Sequence, residues 1–135
     1  MRKMMASLMA ATFLAVGAAW AQDISVKSLP ASVVKTIPAT GEKAVDATAT
    51  TQIQVTFSKE MKDGSWSWSQ LSPNSFPEIV GAPRYLDDKK TCVVNVHLVP
   101  GRTYAIWVNS SKFGNFKDTQ GLSAVPYLLV FETKP

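Results

Sequence analysis

Few side chains in this sequence are of the types that perform catalysis or bind transition metals. The 135 residues include one histidine, His97, and one cysteine, Cys92. A Ser-His-Asp or Cys-His mechanism would depend on His97, and a zinc site made of His and Cys ligands cannot be assembled from two such residues. His97 alternates with Val96 and Leu98, so its ring is expected to face solvent. The sequence therefore predicts a protein that is not an enzyme and carries no cofactor.

The acidic residues offer no clear calcium site. Asp87 and Asp88 are adjacent, and Asp118 lies in a later loop. Calcium requires roughly six to eight oxygen ligands, and no alternating Asp string is present to supply them. Because two lysines follow directly, we predict that residues 87–90 form a solvated hairpin turn and not a metal site.

Aromatic side chains are the residues best suited to bind a ligand, because they combine large apolar area with specific stacking geometry. Rings that lie exposed and coplanar would favour a glycan, whereas rings that pack beneath residues 71–86 would have a structural role. The candidate binding surface comprises Trp66, Trp68, Tyr85, Trp107, Phe113 and Phe116.

The elements that position these rings are predicted to be β-strands. In residues 51–58, three apolar side chains alternate with polar ones, which places the apolar set on one face. Residues 71–83 contain three prolines and are expected to be irregular. No segment after residue 21 shows a helical period. Further strands are predicted at 32–37, 65–69, 84–86, 91–98, 103–109 and 127–133, which indicates a β-sandwich or a barrel.

The parity of these strands predicts which side chains form the core. We expect Tyr104, which follows a Pro-Gly turn, to be a buried corner residue whose hydroxyl bonds to a backbone carbonyl upstream. Cys92 is expected to be a buried free thiol. The predicted inner face comprises Ile53, Val55, Phe57, Val94, Val96, Leu98, Tyr104, Ile106, Val108, Leu129 and Phe131.

The same parity predicts an apolar patch on the opposite face. Ala105, Trp107, Asn109, Leu128 and Val130 are expected to point outward, with Trp66 and Trp68 on the neighbouring strand. Either residues 71–85 cover this patch with Phe76 and Ile79, or the patch is a binding surface. We expect the segment to cover it, leaving an aromatic rim in solvent that includes Tyr85, Phe113 or Phe116.

Five motifs are distributed along the chain: Pro38-Ala39-Thr40-Gly41, Val45-Asp46, Ile53-x-Val55-x-Phe57-Ser58-Lys59-x-Met61, Leu98-x-Pro100-Gly101-x-x-Tyr104-x-Ile106-x-Val108, and Asp118-x-x-Gly121 followed by Phe131. They resemble the motifs of bacterial Ig-like domains of the SbsA type. The resemblance covers about residues 32–133 and implies an Ig-like Greek-key β-sandwich of about seven strands. It also implies a secreted or envelope-associated accessory module without catalytic residues.

A second resemblance is to periplasmic copper carriers of the CopC type, which share the sandwich and a Phe-Ser opening. It implies a copper site at the processed N-terminus with His or Met ligands. Here that N-terminus would be Gln22, and Met61 and His97 are the only such ligands after it. Copper prefers soft and imidazole ligands. The sequence therefore predicts no metal site.

The first residues have the pattern of a secretory signal peptide. Arg2 and Lys3 precede an apolar run that ends in Ala19-Trp20-Ala21, a small-x-small cleavage pattern. We predict a signal peptide at residues 1–21, an N-terminal lead at 22–31 and one domain at 32–135. The protein is then secreted or periplasmic, with no membrane anchor after cleavage.

Charge excludes one class of partner. The net charge is +4, Arg2 and Lys3 fall in the predicted signal peptide, and no run of basic residues follows. This is not the footprint of a nucleic-acid-binding protein. We predict a protein-binding or envelope-associated module whose unknown partner is a protein or a glycan of the cell envelope. The alternative is a carbohydrate-binding sandwich that uses exposed aromatic rings.

Overall fold

The structure is a computed structural model that describes residues 24–135. The predicted signal peptide, residues 1–21, lies outside the described residues. Within the described part, every regular element is a β-strand. No helix in that part is long and apolar enough to cross a membrane.

Seven strands form two antiparallel sheets, which confirms the predicted all-β, Ig-like sandwich. The larger sheet has the order β1-β2-β5-β4, and the smaller has the order β3-β6-β7. This division of strands is that of a constant-type Ig domain. The strands are β1 (Val33–Ile37), β2 (Gln52–Phe57), β3 (Trp68–Gln70), β4 (Glu78–Tyr85), β5 (Thr91–His97), β6 (Thr103–Val108) and β7 (Tyr127–Glu132).

The core lies between the two sheets, and its composition follows from strand alternation. In β2, buried and half-buried residues alternate strictly. Ile53 and Val55 pair with Val94 and Cys92 of β5, so all four side chains share the inner face. Every residue predicted for the inner face is buried. Cys92 is a buried free thiol, as predicted.

Strand β4 corrects the prediction that residues 71–83 are irregular. Residues 78–85 form an edge strand that pairs with β5, and the register shifts between Val80 and Arg84. Gly81 takes a φ of 77° within this bulge, and Pro83 follows it. Because an edge strand with a bulge tolerates both residue types, they did not prevent strand formation.

The chain segment after β1 crosses from the larger sheet to the smaller one. The Gly41 N–H donates to the Val130 carbonyl at 2.6 Å, and the Glu132 N–H donates to the Glu42 carbonyl at 2.8 Å. Val45 then forms a parallel bridge with Thr133. This segment therefore occupies the edge of β7 that would otherwise be open.

Tyr104 is the buried corner residue that the sequence predicts, but its hydrogen bond runs in the other direction. The residue is fully buried. Its hydroxyl accepts a hydrogen bond from the Val99 N–H at 2.8 Å instead of donating to a carbonyl. The Pro-Gly turn directs an amide toward the ring, so the phenol oxygen fixes the corner as an acceptor.

Candidate binding surfaces

An apolar patch lies on the outer face of the smaller sheet. Ile106 and Leu129 face the core, so the residues that alternate with them face outward. Trp107 of β6 lies directly between Ser69 and Leu128. In the adjacent row, Ala105 pairs with Val130, and the Leu71 N–H donates to the Ala105 carbonyl at 3.4 Å. We refer to Leu71, Ala105, Trp107, Leu128 and Val130 as the outer apolar patch.

The patch combines an exposed edge with a half-buried centre. Leu71 is 53% exposed, whereas Ala105 is buried. Trp107, Leu128 and Val130 are half-buried. Side chains in neighbouring rows of a sheet contact one another. These five residues therefore form a continuous apolar surface.

The expectation that residues 71–85 cover this patch is wrong. The Ala105 N–H donates to the Ser75 carbonyl at 3.0 Å, and the Ser75 hydroxyl donates to the Ala105 carbonyl at 2.8 Å. The segment up to Ser75 thus runs along the edge of β6 and not across its face. Phe76 and Ile79 pack against the core between the sheets. The segment is drawn away because β4 finds its hydrogen-bond partner in the opposite sheet.

Two residues predicted on the outer face point inward. Trp68 pairs with Val108, a core residue, and its ring meets Phe116 edge-on at 5.3 Å. Asn109 is fully buried. Its φ of 56° interrupts the alternation of β6 and turns the side chain toward the core side. The outer patch therefore contains one tryptophan, Trp107.

Three connections meet at one end of the sandwich, which we call the loop end: residues 58–67, 86–90 and 109–126. The Met61 N–H donates to the Lys89 carbonyl at 2.8 Å, which joins the first connection to the second. The Lys62 N–H donates to the Lys117 carbonyl, also at 2.8 Å, which joins the first to the third. In Ig variable domains, loops clustered at one end of the sandwich form the binding surface.

A buried ion pair holds the loop end together. Lys59 Nζ lies 2.7 Å from Asp118 Oδ2, and the side chains are 12% and 0% exposed. The ammonium also donates to the carbonyls of Lys27 and Leu29. Burial raises the pKa of Asp118, but Lys59 and the amides of Leu122 and Gln120 outweigh it, so the pKa lies below its usual value. The carboxylate is therefore charged and anchors the third connection.

An aromatic pair, Trp66 and Tyr85, lies at the loop end. The ring centroids are 6.4 Å apart and the planes are tilted by 37°. The Tyr85 hydroxyl donates to the Ser65 carbonyl at 2.6 Å. Burial strongly raises the pKa of Tyr85, so the phenol is neutral. A hollow of about 780 Å³ lies on the Tyr85 side and one of about 420 Å³ on the Trp66 side.

The two phenylalanines predicted for the aromatic rim separate. Phe113 is 55% exposed, in agreement with a rim position. Phe116 is 0% exposed and packs against Phe57 at 5.1 Å, so its assignment to a solvent-facing rim is wrong. The loop folds inward at Phe116 because its backbone bonds to buried Asn109. No sequence signal distinguished the two rings, which stand three residues apart in the same loop.

The six predicted rings therefore do not form one surface. Trp66, Tyr85 and Phe113 belong to the loop end or border it, and the Ser67 hydroxyl donates to the Phe113 carbonyl. Trp107 stands alone on the outer face of the smaller sheet. Trp68 and Phe116 lie in the core beneath the loop end.

The residues with reactive chemistry are dispersed or used for structure. His97 is exposed, as predicted. Burial raises the pKa of the Cys92 thiol to about 12, so the thiolate is not formed near neutral pH. Asp88 accepts hydrogen bonds from Thr91 and the Lys90 N–H, which shapes the predicted hairpin. Within residues 24–135, no three His, Cys, Asp or Glu side chains are grouped to hold a metal ion.

The sheet order and buried corner tyrosine define an Ig-like β-sandwich. A family model described as bacterial Ig-like domain matches residues 27–133. The chain belongs to this family. Domains of this family are typically non-catalytic. No curated protein matches the chain significantly.

Solved structures of a bacterial surface-layer protein share the fold. The crystal structure of the S-layer protein SbsC matches with a TM-score of 0.51 and 19% identity over 80% of this chain. The N-terminal part of the same protein matches with a TM-score of 0.52 and 19% identity. The chain spans 14% and 24% of those two structures. The likeness therefore concerns one domain of a larger protein.

Proposed function

We propose that this protein is a non-catalytic accessory module, secreted or periplasmic and associated with the cell envelope, that binds a protein partner through the outer apolar patch. The observation that carries the proposal is that residues 72–85 follow the edge of β6 and then join the larger sheet, so that Trp107, Leu128 and Val130 remain partly exposed. Exposed apolar patches usually mark interaction sites on soluble domains. A central aromatic ring surrounded by smaller apolar residues is also typical of a protein interface core.

Two further observations support the envelope location. The solved structures that share this fold belong to a surface-layer protein. The first residues also have the pattern of a secretory signal peptide.

The alternative function, binding a glycan on a flat aromatic platform, has less support on this surface. Such a platform needs exposed rings in one plane. Trp66, Trp68 and Trp107 lie in three different places: at the loop end, in the core and on the outer face. A single indole with aliphatic neighbours fits a protein surface better.

A matched pair of surface variants tests the proposal. Leu71 in the patch is 53% exposed, and Val80 on the outer face of the larger sheet is 52% exposed. The bait is the secreted chain from residue 22 onward, used for capture from an envelope extract. Leu71→Ser and Trp107→Ser are compared with Val80→Ser and with the unaltered chain.

We expect both patch variants to lose a protein that the unaltered chain and Val80→Ser retain. The free energy of unfolding of Trp107→Ser should fall by less than about 3 kcal/mol, because no core cavity is opened. Retention of every captured protein by both patch variants would contradict the proposal. A loss of stability of about 3 kcal/mol or more would show that Trp107 has a structural role instead.

A further inference from the structure

We propose that the loop end binds a neutral linear oligosaccharide along a groove that passes Tyr85 and Trp66. This inference goes beyond the proposed function and concerns a different surface, at the end of the sandwich and not on the outer face of the smaller sheet. The two proposals can therefore fail independently.

The groove consists of three adjoining hollows. The central hollow has a volume of about 780 Å³. It shares Tyr85, Leu86 and Asp87 with a hollow of about 630 Å³ on one side. It shares Lys62 and Asp63 with a hollow of about 420 Å³ on the other. Because the lining residues are shared, the hollows follow one another, as the subsites for a linear chain would.

The groove contains two neighbouring aromatic rings, whose centroids are 6.4 Å apart. Tyr85 lines the hollows of about 780 and 630 Å³, and Trp66 lines the hollow of about 420 Å³. The Tyr85 hydroxyl is occupied by the Ser65 carbonyl inside the protein, which leaves the ring and not the phenol available to a ligand. Both rings are half-buried, so they are held in place and still reach solvent. The apolar face of a sugar ring stacks on such rings.

The charged groups favour a neutral ligand. The central hollow contains Lys62 and Lys89 together with Asp63 and Asp87. Each outer hollow also contains at least one cation and at least one carboxylate. An anionic polymer would be repelled by the carboxylates and a cationic one by the lysines. Hydroxyl groups, by contrast, can accept from the ammonium groups and donate to the carboxylates.

The groove is preorganised, so binding costs little ordering of the loops. The Met61 N–H donates to the Lys89 carbonyl, which joins the connections 58–67 and 86–90. Met61 also forms an antiparallel β-bridge with Asp118 in the connection 109–126. The Lys59–Asp118 ion pair fixes the backbone that leads to Gln120. A ligand that meets a site already held in shape retains more of its contact energy as affinity.

The test measures binding of two probes, the β-1,4-linked hexamers of N-acetylglucosamine and of glucose, by isothermal titration calorimetry on the chain from residue 22 onward. The variants are Trp66→Ala and Tyr85→Ala. Val80→Ser on the outer face of the larger sheet is the control, and Tyr85→Phe keeps the ring while removing the internal hydrogen bond. Amide chemical-shift mapping on the unaltered protein gives a second readout if a variant fails to fold.

We expect at least one hexamer to bind, with affinity weakened about tenfold by each alanine variant and unchanged by Val80→Ser. Shifted amides should cluster at residues 61–66, 84–90 and 119–121. The proposal is overturned if neither hexamer binds up to about 10 mM. It is also overturned if shifts appear elsewhere, or if a sulfated polysaccharide or an extended peptide binds the groove more tightly than both hexamers.

Discussion

At the scale of single residues, buried polar atoms decide the shape of the loops. The Tyr104 hydroxyl fixes the corner before β6, and Asn109 fixes the loop after it. Asp118 binds one cation and two backbone amides while fully buried. Buried polar groups are stable only when they are paired, so the hydrogen bonds of each of these residues fix the backbone conformation of the partner residues.

Removing the Tyr104 hydroxyl should destabilise the domain. We expect Tyr104→Phe to lower the free energy of unfolding by about 1–2 kcal/mol, because the Val99 amide loses its acceptor. Urea denaturation measures the change. Tyr127→Phe is the control, because the Tyr127 hydroxyl forms no hydrogen bond to residues 24–135. An equal midpoint for both variants would show that the corner does not depend on this bond.

The lowered pKa of Asp118 predicts a loss of stability in acid. A carboxyl group with a depressed pKa in the folded state stabilises the fold above its unfolded pKa of about 4, and this contribution disappears as the pH falls. We expect Asp118→Asn to cost about 3 kcal/mol at neutral pH, because buried Lys59 loses its counterion.

The pH dependence separates this electrostatic effect from general damage to the fold. Between about pH 5 and pH 2, the unaltered protein should lose more stability than Asp118→Asn. The variant should still lose some, since the pKa values of Asp46 and Asp88 are also lowered by backbone and side-chain hydrogen bonds. Parallel curves for the two proteins would contradict a charged Asp118.

At the scale of secondary-structure elements, pairing partners override local composition. Strand β4 contains Gly81 and Pro83 yet pairs with β5 along both sides of its bulge. Strand β6 ends where Asn109 adopts a positive φ, and the loop that follows turns Phe116 into the core. Each element thus ends or continues according to which backbone groups find partners.

The loop after β6 should depend strongly on Asn109. The Asn109 side-chain Nδ2 donates to the backbone carbonyls of Phe116 and Ala124, and its Oδ1 accepts from the Phe116 backbone N–H. We expect Asn109→Ala to lower the free energy of unfolding by about 2–4 kcal/mol, because three buried bonds are lost and alanine tolerates a φ of 56° poorly. Thermal and urea unfolding provide the measurement.

Two variants distinguish the causes. Asn109→Gly relieves the backbone strain without restoring the bonds, so it should remain close to Asn109→Ala if the bonds dominate. Asn115→Ala, at an exposed position of the same loop, should stay within about 0.5 kcal/mol of the unaltered protein. Similar effects of Asn109→Ala and Asn115→Ala would argue against an anchoring role for Asn109.

Sequence patterns predicted the inner faces of β2, β5, β6 and β7, because every second residue of these strands is a large apolar one that lies in the core. Burial alternates strictly in β2, whereas in β5 and β6 the outward-facing residues Val93 and Ala105 are buried as well. The path of residues 71–85 was not predictable, because it depends on which sheet β4 joins. The inward orientation of Phe116 was also not predictable from the sequence, because it depends on the hydrogen bonds to Asn109 and not on local composition.

At the scale of the whole molecule, the sandwich presents two different surfaces. The outer apolar patch on the smaller sheet suits a protein partner, and the groove at the loop end suits a polar one. The Lys59–Asp118 pair and the loop hydrogen bonds hold the three connections of the loop end together. An accessory module of this kind would bind an envelope protein through the outer apolar patch and a glycan through the loop end.

Site-specific photo-crosslinking tests most directly whether the outer apolar patch is the protein-binding face. A benzoylphenylalanine at position 71 is compared with one at position 80, because Leu71 and Val80 are equally exposed on opposite sheets. We expect a covalent adduct with an envelope protein from position 71 and none from position 80. Adducts from position 80 alone, or the same adducts from both positions, would contradict it.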